Sequence, residues 1–99
     1  VVVLASGAHR VDLGRLEAVL GAPARSASPE EAEAATGFPV GAIPPVGHVR
    51  PLRVVMDEAL LAYPRVWAAA GTTQAVFGAD PRELQRATGA RVAVIGDDA

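Results

Sequence analysis

Residues 37–51 read Gly-Phe-Pro-Val-Gly-Ala-Ile-Pro-Pro-Val-Gly-His-Val-Arg-Pro and separate two regular halves of the sequence. Three glycines and four prolines in fifteen positions exclude a helix or a central strand. The prolines restrict the unfolded chain, so we expect an ordered loop on a single path. The glycines let the backbone approach a ligand, and consecutive N–H groups could form an anion or oxyanion site. The alternative is a surface crossover in which Gly37 ends the preceding helix.

The first half predicts one strand and two helices. Val1 to Leu4 is a short β-branched run typical of a buried strand. A helix begins after Asp12 as N-cap and ends at Gly21, with apolar residues at helical spacing between them. A second helix begins at Ser28-Pro29-Glu30-Glu31, which has the pattern of a capping box, and ends near Gly37.

The second half predicts strands with one further helix. Arg53 to Met56, Arg65 to Ala70 and Arg91 to Ile95 read as strands, and Ala75 to Phe77 could pair beside the second of them. Residues 57–61 predict a turn or a single helical turn. Asp80-Pro81-Arg82-Glu83 repeats the capping pattern and starts a helix that ends at Gly89. A mixed α/β or α+β domain follows.

Composition restricts the function classes. The chain has 99 residues, of which 51% are hydrophobic and 20% charged, and this indicates one globular domain over residues 1–99. The net charge of −2 does not indicate an extended basic surface for nucleic acid, so any contact with RNA must be local. There is no cysteine, and His9 and His48 are isolated, so we expect no metal and no cofactor. No signal peptide or membrane span is visible, and we expect a cytoplasmic protein.

Residues 36–47, Thr-Gly-Phe-Pro-Val-Gly-Ala-Ile-Pro-Pro-Val-Gly, resemble the Thr-Gly-aromatic-x-Val-Gly-Gly-Ile-x-Pro-x-Gly loop of the YbaK family. These proteins are aminoacyl-tRNA deacylases related to the editing domain inserted in bacterial prolyl-tRNA synthetase. The caps of the helices, the run Val54-Val55-Met56-Asp57-Glu58 and Gly71 fall in family order. The resemblance implies an α+β fold with a mixed, mainly antiparallel curved sheet and flanking helices. It also implies hydrolysis in trans of mischarged tRNA bearing a small amino acid such as alanine or cysteine.

The same resemblance implies the site. Gly41 and Pro45 match the Gly-x-x-x-Pro core of the family loop, and amides near Gly41 and Ala42 could hold the ester carbonyl while water attacks. An activated ester needs no protein nucleophile. The substrate-binding candidates are the following residues of the loop and its surroundings: Phe38, Ile43, His48, Asp57, Gly71 and Thr72.

Several of these residues have a plainer interpretation. Asp57 could bind the substrate's amino group or fix a loop N–H, or it could cap the turn at Ala59 to Leu61. His48 could carry a proton or simply be exposed. Thr72 could donate to substrate or form a turn. Three further sets complete the candidates: Arg50, Arg53 and Arg65 as a basic rim for acceptor-stem phosphates, His9 in a polar turn, and Trp67 as a core residue.

Two departures from the family pattern leave an alternative open. Family members carry a functional lysine on a strand upstream of the segment matching Val1 to Leu4, whereas all nine basic residues here are arginine. Either that strand precedes this sequence in the intact protein, so that the domain is N-terminally truncated here, or the activity is absent. Residues 72–74, Thr-Thr-Gln, replace basic residues. The alternative is a non-catalytic relative that binds tRNA or an aminoacyl-tRNA synthetase.

Overall fold

The computed structural model describes residues 1–7, 10–48, 51–72 and 74–96. Within these ranges the chain forms five strands, three α-helices and one 3-10 helix. In chain order they are β1 (Val2–Leu4), α1 (Leu13–Leu20), α2 (Pro29–Thr36), β2 (Val54–Asp57), the 3-10 helix (Glu58–Ala62), β3 (Val66–Ala69), β4 (Val76–Ala79), α3 (Pro81–Thr88) and β5 (Arg91–Ala93).

The helix ends follow the predicted capping residues. Asp12 accepts a hydrogen bond from the Arg15 amide at the start of α1, and Asp80 accepts one from the Arg82 amide at the start of α3. Ser28 and Glu31 form the complete capping box of α2. Each α-helix ends at a glycine in the left-handed conformation, namely Gly21, Gly37 and Gly89. Local sequence therefore determines where these helices begin and end.

The main sheet has the order β1-β2-β5, and both of its pairings are parallel. The prediction of a mainly antiparallel sheet is therefore wrong for these three strands, although the α+β class is confirmed. The reason is the length of the connections. β1 and β2 are joined through two helices and the long loop, and β2 and β5 through a hairpin and α3. Long crossovers of this kind are what parallel neighbours require.

The antiparallel strand pair forms a separate hairpin. β3 and β4 pair with Trp67 opposite Gly78 and Ala68 opposite Phe77. This confirms the prediction that Ala75 to Phe77 pairs beside the preceding strand. The hairpin packs its Val66 and Phe77 side chains against one face of the main sheet. Over the described residues the chain thus forms two sheets, which share a core but are not hydrogen-bonded into one curved surface.

Strand β2 is buried on both faces because its side chains alternate between two cores. Val54 and Met56 pack with Leu84 of α3 on one face. Val55 packs with Leu16 of α1 and with Ile95 on the other face. A continuous apolar run is typical of a parallel strand covered on both sides. The central strand therefore requires both the helix before it and the helix after it.

Trp67 is not a core residue, and the prediction that it would be is wrong. Its side chain is 65% exposed, on the face of the hairpin opposite to Val66. Alternation along a strand places neighbouring residues on opposite faces, and the apolar run around Trp67 obscured that alternation. Ala68, the next residue, faces inward and leaves the indole outside.

Truncation of Met56 tests the two-faced core. Met56 is 0% exposed, so we expect Met56→Ala to lower the free energy of unfolding by about 2–5 kcal/mol, from lost burial and a residual cavity. Val76→Thr is the matched control, because Val76 is 67% exposed and the change keeps a β-branched side chain. The control should stay within about 0.5 kcal/mol of the unsubstituted chain in urea unfolding. Equal effects of the two substitutions would contradict this core.

Candidate functional site

A cleft of about 570 Å³ lies along the outer edge of the main sheet. All four residues from Val1 to Leu4 line it, although their side chains alternate between the two faces of β1. The cleft therefore runs beside the edge of β1 that, among the described residues, has no strand partner. Its other walls come from α2, from the long loop and from the hairpin, through Ala27, Glu31, Ala32, Ala35, Thr36, Ile43, Pro44, Pro45, Leu52 and Ala68. Most of these residues are apolar.

The loop reaches the cleft through three consecutive residues, Ile43, Pro44 and Pro45. Pro45 was a predicted site residue, and it is buried in this wall. Gly41 is exposed, has a φ of 92°, and does not line the cleft. Its positive φ belongs to the tight turn that precedes the wall, so its glycine requirement is conformational.

The Ala42 amide is not available to a ligand. Ala42 is 1% exposed, and its N–H donates to the Pro39 carbonyl oxygen at 3.0 Å, which closes the turn around Gly41. The predicted oxyanion role of this amide is therefore wrong. Proline has no N–H, so within the cleft wall Ile43 has the main-chain donor nearest to that turn. Within the described part of the chain, the Ile43 amide has no hydrogen-bond acceptor.

Helix α2 provides a wall of small residues that the sequence analysis did not identify. Ala32 and Ala35 line the cleft, and Thr36 is the buried residue of the helix. The Thr36 hydroxyl donates to the Ala32 carbonyl at 2.8 Å and accepts from the Phe38 amide, which joins the helix end to the loop. The signal was the spacing of Ala32 and Ala35, because residues three apart share one helix face.

One ionic group stands at the rim of the cleft. The Glu31 carboxylate accepts from both terminal guanidinium nitrogens of Arg25, at 3.0 and 2.7 Å, and from the Ser28 amide. The hydrogen bond from Arg25 is the largest cause that lowers the pKa of Glu31 to about 2, followed by the hydrogen bond from the Ser28 backbone. The same pair raises the pKa of Arg25. Glu31 is thus an ionised carboxylate whose charge is balanced by Arg25, and it anchors the start of α2.

Phe38 and Gly71 form a contact outside the cleft. A Cβ atom on Gly71 would lie 3.3 Å from Cε1 of Phe38, and Gly71 has a φ of 96°. The loop therefore rests its aromatic ring on the turn between β3 and β4. Thr72 is exposed beside this turn and is not a cleft residue. The geometry brings Phe38 and Gly71 together, but as an anchor of the loop on the hairpin.

Asp57 caps the turn that follows β2. Its side chain is buried, accepts from the Ala59 amide at 3.0 Å and accepts from the Ser6 amide at 3.3 Å. It does not line the cleft. The structure therefore shows the capping alternative, together with a tie to the segment after β1 that the sequence did not indicate.

His48 stabilises the loop from the side away from the cleft. Its Nε2 lies 2.6 Å from the Pro44 carbonyl oxygen, and because a carbonyl oxygen only accepts, Nε2 is the donor. His48 lines a shallow second hollow with Leu52 and Thr88, and it does not line the cleft. This places His48 as a support for the cleft wall at Pro44.

Of the remaining candidates, the ones that the structure describes do not line the cleft. These are Arg53 and Arg65, which are exposed. His9, Arg50 and Thr73, the second threonine of the Thr-Thr-Gln run and with Thr72 a possible donor to substrate, lie outside the described residues. Over the described ranges, no three acidic or histidine side chains come together as a metal would need. In the same part of the chain no helix has the length and hydropathy of a membrane crossing.

The ion pair at the rim predicts a pH dependence of stability. A carboxylate whose folded pKa is depressed stabilises the fold above its unfolded pKa and loses that effect as pH falls through the folded value. The pKa of Glu31 drops from 4.5 to about 2. We therefore expect the unsubstituted chain to have a higher free energy of chemical unfolding than Glu31→Gln. This difference should be largest near pH 6 and should shrink as the pH falls from about 4.5 towards 2.

Glu33→Gln is the control for loss of one negative charge, because within the described residues Glu33 forms no ion pair. If the difference in free energy of unfolding between the unsubstituted chain and Glu31→Gln stayed constant down to about pH 2, the carboxylate charge would not be what stabilises the start of α2.

The fold has close relatives among solved structures. One is a protein provisionally assigned as a trans-editing enzyme for prolyl-tRNA synthetase, at 50% identity and a TM-score of 0.91, covering 96% of this chain and 60% of that one. Another comes from work on grafting linear epitopes onto scaffold proteins, at 47% identity and a TM-score of 0.91, covering 96% and 63%. A third is the hypothetical protein APE2540, at 35% identity and a TM-score of 0.90, also covering 96% and 63%.

The chain spans about three fifths of the length of these solved relatives. No curated protein matches it. The aminoacyl-tRNA editing domain family matches residues 1–87, which include every wall of the cleft. The chain belongs to the aminoacyl-tRNA editing domain family.

Proposed function

We propose that the cleft is the site at which this protein hydrolyses the ester bond of mischarged aminoacyl-tRNA bearing a small amino acid such as alanine or cysteine. The family match over residues 1–87 carries the proposal, because all the elements that form the cleft lie within it. The reaction is a trans-editing step, in which the aminoacyl-tRNA is the substrate and an aminoacyl-tRNA synthetase is a possible partner. Such a role belongs in the cytoplasm, with translation.

The chemistry needs positioning more than a reactive side chain. Water adds to the ester carbonyl carbon, assisted by the neighbouring ribose hydroxyl. The tetrahedral oxyanion then collapses with cleavage of the bond to the ribose oxygen, which takes up the proton. The products are the free amino acid and the tRNA. A fixed main-chain donor at the oxyanion lowers the barrier, because its dipole is already oriented before charge develops.

We assign the donor to the Ile43 amide. Within the loop wall of the cleft, Pro44 and Pro45 have no N–H and the Ala42 amide donates to Pro39, whereas the Ile43 amide has no acceptor among the described residues. The prolines and the His48 contact to the Pro44 carbonyl restrain the wall, so the donor does not need to be ordered during the reaction. This assignment moves the predicted oxyanion contact one residue along the chain.

The lining supports an uncharged side chain on the substrate. Ala32 and Ala35 of α2 and Ala68 of the hairpin line the cleft with methyl groups, and the carboxylate in the lining, Glu31, is paired with Arg25. Walls of this kind offer no free partner to a charged side chain. The choice of alanine or cysteine within the uncharged class follows from the family resemblance.

The alternative is a non-catalytic member of the family that binds tRNA or a synthetase. The run Thr-Thr-Gln at residues 72–74, where the resembled family has basic residues, favours it. The full activity, substrates and partners belong to the intact protein, since its solved relatives are longer than this chain.

Deacylation of a panel of mischarged tRNAs tests the proposal. We expect the intact protein to release alanine or cysteine from tRNA, and Ile43→Val, which keeps the amide, to retain the rate. Ile43→Pro removes the amide and should lower the rate by about 10²–10³-fold, the usual effect of losing one oxyanion donor. Circular dichroism and thermal unfolding establish whether each variant is folded.

Two outcomes would count against this account. A folded Ile43→Pro variant with full activity would contradict the role of the amide. Binding of the tRNA panel by the intact protein with no deacylation of any member would favour the non-catalytic alternative instead.

A further inference from the structure

The outer face of the hairpin presents an aromatic side chain to solvent. Trp67 of β3 is exposed, and Val76 of β4 lies on the same face and is exposed as well. Their neighbours Ala68 and Phe77 point the other way, towards the cleft and the core. Neighbouring exposed apolar side chains that are rimmed by polar residues are typical of a binding surface.

The strand opposite Trp67 is shaped to leave room for the ring. Gly78 is its cross-strand partner. A Cβ atom on Gly78 would lie 3.0 Å from Cζ3 and 3.1 Å from Cη2 of the indole, and 3.0 Å from Cδ of Arg65. These distances are shorter than ordinary contacts, so any other residue at position 78 would displace the ring or the arginine. The glycine therefore lets both side chains lie close to the strand.

Arg65 adds a positive charge to this face. Its Cζ lies 5.8 Å from the centroid of the Trp67 ring, within the range of a cation–π contact. Over the described residues, Arg65 forms no ion pair with a carboxylate. The nearby acidic residue in sequence register, Asp80, accepts from the Arg82 amide as the cap of α3. Among the described residues, the positive charge of Arg65 thus has no fixed counter-charge.

We propose that Arg65 and Trp67 form a stacking platform for an unpaired nucleobase of RNA. A ring with a face accessible to solvent can stack on any base, and a neighbouring guanidinium can pair with the adjacent phosphate. This inference rests on the proposed function, because an aminoacyl-tRNA has unpaired nucleotides at the end that carries the ester. A protein partner would fit an apolar ring equally well, but the unneutralised arginine beside it favours a polyanion.

The position of the platform says which part of the RNA it contacts. Ala68 lines the cleft, whereas Trp67 lies on the opposite face of the same strand. A base stacked on Trp67 is therefore not the one next to the ester in the cleft. It belongs to a nucleotide further from the 3′ end, and the platform holds the strand while the ester occupies the cleft.

Fluorescence provides a direct test, because Trp67 is the only tryptophan in the sequence. The chain of residues 1–99 is titrated with a single-stranded RNA oligonucleotide that ends in CCA and carries no amino acid. A blunt duplex of the same length serves as comparison. We expect saturable quenching by the single strand, weaker quenching by the duplex, and loss of the signal in Trp67→Phe.

Binding of the same labelled oligonucleotide is measured by anisotropy in parallel. Trp67→Ala should weaken binding by about fivefold or more, from the loss of one base–aromatic stack. Trp67→Phe should retain part of the affinity, and Arg65→Gln should reduce both the affinity and its dependence on salt. Val76→Thr, on the same exposed face, should bind as the unsubstituted protein does.

Two results would overturn the platform. One is unchanged RNA affinity in folded Trp67→Ala. The other is a change in self-association of that variant, measured by sedimentation, without a change in RNA binding, which would identify the face as a protein interface. The two proposals can fail separately. If the protein deacylates tRNA but RNA does not quench the fluorescence of Trp67, the stacking platform is contradicted and the proposed function stands. If RNA quenches Trp67 but no tRNA is deacylated, the proposed function is contradicted and the platform stands.

Discussion

Burial of strand β2 on both faces is the constraint from which the rest of the structure follows. Val54 and Met56 must be covered on one face of the sheet, and Val55 on the other. Parallel neighbouring strands are joined by long crossovers, and the helices of those crossovers cover the two faces. The crossover between β1 and β2 contains α1, α2 and the proline-rich loop. Two walls of the cleft are therefore parts of a connection that the parallel sheet requires. The site exists because this connection passes beside the outer edge of β1.

The cleft remains open because α2 packs loosely while its ends are fixed. Thr36 is the buried residue of the helix, and the alanines beside it leave space between helix and strand. The start is held by the Ser28–Glu31 capping box and Arg25, and the end by Gly37 and the Thr36 hydroxyl. Hydrogen bonds at both ends thus replace the apolar packing that normally positions a helix. A surface of small residues is then free to face a ligand.

Features that depend on neighbouring residues in the sequence were predictable, and features that depend on distant contacts were not. The capping residues Asp12, Ser28 and Asp80 follow from local hydrogen-bonding chemistry, and their helices begin where expected. The parallel pairing was missed because strand direction is determined by the whole path between strands. Trp67 was misplaced because an apolar run does not show which face of a two-stranded hairpin will be covered.

In the candidate site, too, the sequence indicated local features but not the contacts between distant residues. Two residues of the loop that resembles the family, Ile43 and Pro45, line the cleft, and their roles there stay predictions. It could not show that the Ala42 amide closes a turn on Pro39, or that His48 contacts the Pro44 carbonyl. Both contacts depend on the path of the folded loop. The alanine wall of α2 was visible as a spacing, but its meaning required knowing which strand it faces.

Ligand mapping by NMR is the most direct test of where substrate binds. The probe is an adenosine that carries alanine through a 3′ amide, so that it resembles the ester and is not hydrolysed. This account predicts the largest amide shift changes at Ile43, Ala35 and Leu4, around the cleft. Shift changes confined to Ala87 and Thr88, in the hollow beyond His48, would contradict it.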